Sequence, residues 1–99
     1  MNTSTPATEI LVTGIGATKD TLEADFDDGR SVSLPIAWFP RLLHGTMKER
    51  YTWQLNGGGY GIHWPLLDED LSAASLLAGR RSGESAQSLQ RWLKARREK

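Results

Sequence analysis

The segment Gly61–Leu71 holds most of the side chains in this chain that could do chemistry. It places His63 five residues before Asp68, and Asp68 begins a run of three acids that ends at Asp70. A histidine beside a carboxylate can act as an acid–base pair, and together they can ligate a metal ion. One histidine is few for this purpose, because catalytic zinc sites usually take three protein ligands. A structural hydrogen-bonding role for His63 is therefore favoured over catalysis or ligation.

The acid run Asp68–Asp70 also has a structural explanation. It precedes Ser72, which fits the N-cap of a short helix that extends through Leu77. Acids ahead of a helix interact favourably with its dipole and its free N–H groups. Asp68 and Asp70 are kept with His63 as candidates for function beside this structural interpretation.

Two glycine-rich segments and the absence of cysteine exclude several kinds of site. Gly57–Gly61 is not followed by Lys and Ser or Thr, and it leads to a predicted strand, so it is not a phosphate-binding loop. Gly14–Gly16 lacks the third glycine and the following helix of a dinucleotide motif. Both are predicted to be turns. Without cysteine there is no disulfide, no thiolate metal site and no cysteine nucleophile.

The net charge of zero conceals a separation of charge along the chain. Residues 1–79 carry five Lys or Arg against ten acids, a net of −5. Residues 80–99 carry seven Lys or Arg against two acids, a net of +5. Such segregation can direct association, and the basic tail could bind phosphate. A simply solvated basic helix is the alternative.

Residues 85–97 predict a terminal helix with a narrow apolar stripe. The stripe consists of Ala86, Leu89 and Leu93, with Trp92 at its edge. A helix of this length is unstable alone in water, so it must pack on its own domain, on a second copy or on a partner. Tryptophan beside arginine is typical of an interface centre. The candidate interaction residues are Leu89, Arg91, Trp92, Leu93, Lys94, Arg96 and Arg97.

The elements that would position these side chains follow from alternation and turn signals. Strands are predicted near 9–15, 20–26, 30–34, 51–55 and 60–64. The turn at Asp27–Gly29 joins the second and third strands, and the last two form a hairpin with one aromatic face. Pro35, Pro40 and the capping-box spacing from Thr46 to Glu49 predict short helices between the two groups. The predicted core consists of Val12, Leu22, Phe26, Val32, Leu34, Trp38, Leu42, Trp53, Ile62, Trp64 and Leu76.

Several local motifs resemble those of one bacterial family, the Domain of Unknown Function 2442 family. The matching segments are Phe26–Arg30, Pro35–Leu42, Arg50 with Trp53, Gly61–Pro65, Asp68–Leu71 and Leu76–Arg80. The resemblance spans roughly residues 9–82 and leaves the basic tail outside. It implies a small α+β fold and a bacterial or phage source, and it implies no reaction. Some members are joined to helix-turn-helix domains and others belong to toxin–antitoxin-like pairs, but no helix-turn-helix is visible in this sequence.

The predicted architecture is α+β, with a small, mainly antiparallel sheet formed by a three-stranded meander and a hairpin, covered by short helices. A flexible N-terminus is expected at residues 1–8, an α+β domain at 9–82, and a basic amphipathic C-terminal helix at 83–99. No apolar run approaches the ~20 residues of a membrane span, and Met1–Ile10 lacks a signal-peptide pattern, so a cytoplasmic location is expected.

Three classes of function are consistent with this sequence. The favoured one is a non-catalytic protein-interaction module, an antitoxin-like or regulatory partner that binds another protein or a second copy of itself. The first alternative is a nucleic-acid-binding accessory protein that uses the basic helix. The second is a small enzyme that uses His63 and Asp68. No cofactor or metal is assigned to any residue.

Overall fold

The computed structural model describes residues 10–98, which form two three-stranded antiparallel sheets and several short helices. The first sheet has the order β1–β2–β3, formed by Val12–Ala17, Thr21–Phe26 and Ser31–Pro35. The second has the order β4–β5–β6, formed by Gln54–Asn56, Gly61–Trp64 and Glu69–Ser72. A 3₁₀ helix spans Ile36–Trp38, and the α-helices are α1 (Pro40–Leu43), α2 (Met47–Tyr51), α3 (Ala73–Leu77) and α4 (Ala86–Arg97). The predicted α+β class is confirmed, while the flexible segment expected at 1–8 lies outside the described residues.

The first sheet forms as the alternation predicts. Leu22, Ala24 and Phe26 of β2 are buried, whereas Glu23 and Asp25 between them are exposed. The turn after β2 needs a left-handed residue, and Gly29 supplies it with a φ of 93°. This meander therefore has one apolar face against the core and one face open to water.

The acid run precedes a short helix, as predicted, but its last two residues, Glu69 and Asp70, also form part of a sixth strand that was not predicted. A turn over residues 65–68 folds the chain back after β5, with Asp68 in the left-handed region at a φ of 51°. Glu69 then pairs with Trp64, and Asp70 pairs with His63. The first turn of α3 itself contains no acid. The N-cap is as predicted, since the Ser72 side chain accepts a hydrogen bond from the Ser75 N–H.

The second hairpin is less aromatic than predicted. The capping box of Thr46 and Glu49 starts α2, and the helix continues through Tyr51, which ends it instead of beginning a strand. Tyr51 is 54% exposed, and Tyr60, in the turn before β5, is 61% exposed. Trp64 is the fully buried aromatic residue of this sheet, with Trp53 half-buried just before β4.

The predicted core residues all belong to the observed core or pack against it. Seven are buried, and four are half-buried against them, namely Val32, Leu34, Trp38 and Trp53. The core also takes Ile36, Phe39 and Leu67 from the connecting segments. Leu43 of α1 points away from this core and is 41% exposed.

A buried arginine ties the helical connection to the sheets. Arg50 is only 6% exposed, and its guanidinium donates to the carbonyl oxygens of Leu42 at 2.7 Å, Leu43 at 3.1 Å and Thr18 at 2.9 Å. Its own carbonyl accepts from the Trp64 indole N–H at 2.9 Å. Arg50 thus links main-chain oxygens at the end of α1 to one in the connection between β1 and β2.

Candidate functional site

One side chain, Arg41 of α1, joins three separate parts of the chain. Its guanidinium donates to the Glu84 carboxylate from Nε at 2.9 Å and from Nη2 at 2.6 Å. Nη1 donates to the main-chain oxygen of Asp68 at 2.8 Å and lies 3.5 Å from the Asp68 carboxylate. The guanidinium also lies over the Trp92 ring, 5.1 Å from its centroid. A bidentate arginine–carboxylate pair is among the stronger polar contacts, so Arg41 anchors the start of the C-terminal segment.

The inward face of α4 is only half-buried, and no residue of this helix is fully buried. Its side chains are Ser88, Leu89, Trp92, Leu93 and Arg96. The Trp92 ring contacts two guanidinium groups, with that of Arg96 at 4.7 Å from the ring centroid. Arg96 also pairs with Glu49 of α2, with Nη2 and Oε1 3.0 Å apart. Such cation–π contacts stabilise the fold by about 0.5–1 kcal/mol each, and an ion pair near the surface stabilises it by a similar amount. A small number of modest contacts therefore holds α4.

The inward stripe differs from the predicted one. Ala86 is exposed, and Trp92 lies at the centre of the stripe instead of at its edge. Arg41 lies over the Trp92 ring on this side of the helix, and Arg96 on the same side pairs with Glu49.

The outward face of α4 is polar and basic. It carries Gln87, Gln90, Arg91, Lys94 and Arg97, all of them exposed. These positions fall within one third of the helix circumference at 100° per residue. Arg91, Lys94 and Arg97 take part in no ion pair among residues 10–98. The positive charge of this face is therefore available to another molecule.

His63 contacts Asp70 instead of Asp68. The two residues lie opposite each other in β5 and β6, and His63 Nδ1 is 2.9 Å from Asp70 Oδ1. Gln54 lies on the other side of His63 in the strand register, as strand parity predicts. The Asp70 side chain is 68% exposed, so this is a cross-strand surface pair. Within residues 10–98 no three histidine or acidic side chains converge on a metal-sized site.

The three consecutive acids have separate environments because Asp68 lies in the turn before β6, while Glu69 and Asp70 are neighbours in the strand and point to opposite faces. Asp68 faces Arg41, and Asp70 faces His63. Glu69 points inward, where burial raises the pKa of its carboxyl group. Its Oε1 accepts from the Asp70 N–H at 3.0 Å, while Oε2 is buried without a hydrogen-bond partner. The nearby Glu84 has its pKa lowered by its hydrogen bonds from Arg41.

Two open cavities flank the β5–β6 turn, and Asp68 lines both. One, of about 690 Å³, lies between this turn and the C-terminal half of α4, where Leu66 and Trp92 line it. Leu66 is 49% exposed. The other, of about 730 Å³, lies between β6 and the segment 80–84 and is lined by Glu69, Arg80 and other polar residues.

Sequence reasoning missed the residues that attach the tail. Arg41 and Glu84 are 43 positions apart, and Arg96 and Glu49 are 47 apart, so no local pattern indicates either pair. Trp92 packs against the core of this chain's own domain, which is one of the three kinds of packing expected for the tail, and Leu89 and Leu93 are half-buried on the same face of α4. Whether Arg91, Lys94 and Arg97 bind a partner stays a prediction.

The fold and this junction define a class of protein, namely a small two-sheet α+β domain that carries a separately attached basic helix. The chain belongs to the family described as "Protein of unknown function (DUF2442)", which matches residues 12–82. The match ends before α4 begins. No curated protein matches the chain.

Two solved structures have similar folds, and neither has an assigned function. A crystal structure of a protein of unknown function from Rhodospirillum rubrum is 26% identical, with a TM-score of 0.64, over 81% of this chain and 98% of that one. The solution structure of an uncharacterized protein from Chromobacterium violaceum is 18% identical, with a TM-score of 0.62, over 82% of this chain and 74% of that one. In the described part of this chain, no helix has the length and apolar character that crossing a membrane requires.

Proposed function

We propose that this chain is a non-catalytic protein-interaction module and that α4 is its partner-binding element. The observation that carries the proposal is the attachment of α4, which has a half-buried face on the domain and an exposed basic face. Its contacts with the domain are few, so a partner can bind the helix in place or draw it away from the domain. An antitoxin-like or regulatory role in the cytoplasm suits such a module, with a protein or a second copy of the chain as the partner.

The groove beside α4 supports the same proposal. Leu66 is exposed next to Trp92 and Leu93, and Arg97 borders the same cavity. This cavity combines apolar side chains with charged groups of both signs, since Glu49 and Asp68 line it beside Arg96 and Arg97. It therefore fits a partner segment that places an apolar side chain among polar or charged neighbours.

The test is co-purification of the tagged full-length chain from its native host, with nuclease treatment to remove nucleic acid. The informative variant is Arg91→Glu/Lys94→Glu/Arg97→Glu, which reverses the outward face without touching the inward one. Lys48→Glu is the matched control, because Lys48 is also an exposed helical lysine. We expect a protein retained by the wild type and by the control but lost by the triple variant. Equal retention by all three chains would contradict a role for α4.

A second candidate is nucleic-acid binding, and the three unpaired basic residues on one face of α4 favour it. If they contact phosphates, duplex DNA affinity should fall with salt at a slope of about −0.9 per contact, so nearly −3 in total. The triple variant should abolish that slope. An enzymatic role would have to use His63 with Asp70, its contact in β6, and is tested separately below.

A further inference from the structure

The outer face of the first sheet carries two acidic side chains, and among residues 10–98 nothing buries them. Its two central rows across the strands are Gly14–Asp25–Ser31 and Gly16–Glu23–Ser33. Each row has a carboxylate at its centre, with a small residue on either side.

The residues beside the two carboxylates in these rows are glycine and serine, which add little height to the face. A Cβ atom added at Gly14 would lie 3.7 Å from Asp25 Oδ2, and one added at Gly16 would lie 3.9 Å from Glu23 Oε1, so each carboxylate extends over the neighbouring glycine. Asp25 also accepts from Ser31 Oγ at 2.7 Å, and Thr21 Oγ1 donates to Glu23 at 3.3 Å. The sheet therefore presents a shallow surface on which a helix could lie.

Neither carboxylate has a basic partner in the part of the chain that the structure describes. The ion pairs within residues 10–98 involve neither Glu23 nor Asp25. Both are exposed in the middle strand. The charge of this surface is therefore opposite to that of the outward face of α4. The basic residues of that face also lack ion-pair partners among residues 10–98.

The acidic residues of the sheet and the basic residues of α4 also have similar spacing. Glu23 and Asp25 are two residues apart in an antiparallel strand, which places them about 7 Å apart along it. Arg91 and Arg97 are six residues apart in a helix, about 9 Å along its axis, with Lys94 between them. One helix face can therefore reach both rows of the sheet at once.

We propose that the outer face of the first sheet binds the basic face of α4 from a second copy of this chain. The inference rests on the proposed function, since it names a second copy as the partner of α4. A helix cannot lie with its inward face on its own domain and its outward face on the same domain's sheet, so the contact is between copies. Each copy offers both faces, and a two-fold arrangement forms the contact twice.

The strength of this association should depend on salt. Exposed ion pairs are weakened by salt, because screening shortens their range from about 30 Å at 0.01 M to about 3 Å at 1 M ionic strength. We expect the purified full-length chain to self-associate at low ionic strength and to dissociate as salt is added.

Charge reversal provides the test, measured by sedimentation of the full-length chain at low salt. The sheet variant is Glu23→Lys/Asp25→Lys, and the helix variant is Arg91→Glu/Lys94→Glu/Arg97→Glu. Each alone should weaken self-association by roughly tenfold or more, which corresponds to about 1.4 kcal/mol. The two variants mixed in equal amounts should associate with each other, and a chain that carries both sets of reversals should again self-associate. Thermal melting shows whether each variant is folded.

The outcomes separate this inference from the proposed function. A wild-type chain that is monomeric at low salt, or variants that fail to restore association on mixing, would overturn the second copy as partner. If the helix variant nevertheless loses a host protein, the proposed function stands without this inference. If the control Lys48→Glu weakened self-association as strongly as the helix variant does, that result would show a general effect of charge and would also overturn the inference. Binding of the helix face to duplex DNA without self-association would assign it to nucleic acid instead.

Discussion

His63 illustrates how a residue type that suggests chemistry can have a simpler structural role. Its contact with Asp70 follows from their opposite positions in β5 and β6, and exposed cross-strand pairs contribute roughly 0.2–1 kcal/mol. We therefore expect His63→Gln to lower the free energy of unfolding by less than about 1 kcal/mol and to leave partner binding intact. Urea unfolding and the co-purification assay measure these two effects. Loss of a biological activity with unchanged stability would instead support an enzymatic role.

Glu69, unlike His63, is a charged residue whose buried side chain lowers the stability of the fold. Burial raises its pKa, so the charged form is less stable in the folded chain than in the unfolded one. Above the raised pKa, the buried negative charge lowers the free energy of unfolding. Protonation of the carboxyl group removes that charge and its destabilising effect. We expect Glu69→Gln to raise the melting temperature at pH 7 and to change it less at pH 4. A lower melting temperature at pH 7 would show that the charge of Glu69 stabilises the fold.

At the scale of the elements, two ion pairs hold α4 and should respond to acid. Hydrogen bonds from Arg41 lower the pKa of Glu84, and hydrogen bonds from Arg96 lower that of Glu49. A lowered carboxyl pKa contributes stability above the unfolded value, and this contribution is lost as the pH falls through the folded value. The attachment of α4 should therefore weaken from roughly pH 4 downward.

The indole N–H signal of Trp92 in NMR spectra is the measurement for this prediction, with Trp92→Phe to assign it. We expect the signal to move in acid while that of the buried Trp64 stays in place. Glu84→Gln should show part of this displacement already at pH 7. A Trp92 signal that stays constant down to the acid unfolding of the whole domain would mean that these pairs do not control α4.

The elements that could be predicted from the sequence are those with local signals. The alternation of Leu22, Ala24 and Phe26, the turn at Gly29 and the N-cap at Ser72 each depend on neighbours within a few residues. Strand β6 was missed because its acids resembled the approach to a helix, and its strand pairing depends on the turn that follows Pro65. Local patterns therefore specify single elements better than their partners.

The candidate site was less predictable because it depends on contacts distant in sequence. The tail residues Trp92 and Leu89 stand out from their neighbours as apolar, so they were recognised. Arg41 and Glu49 give no such signal, since each is an ordinary charged residue until the fold brings it to α4. The sequence thus predicted which helix makes contacts but not the surface that it contacts.

At the scale of the whole molecule, the chain combines a domain of net negative charge with a basic helix beyond the family match. The core takes no fully buried residue from α4, so the two sheets and the shorter helices contain most of the buried apolar surface. The central claim is that α4 serves binding more than folding.

Truncation after Ser85 tests this claim most directly, because it removes α4 while keeping the Arg41–Glu84 pair. The shortened chain and the full-length chain are compared by thermal melting and by sedimentation or co-purification. We predict that the shortened chain still melts cooperatively, with a modestly lower melting temperature because Trp92 no longer covers the core, and that it loses association. A shortened chain that is unfolded, or one that is folded and keeps every association of the full-length chain, would contradict the account.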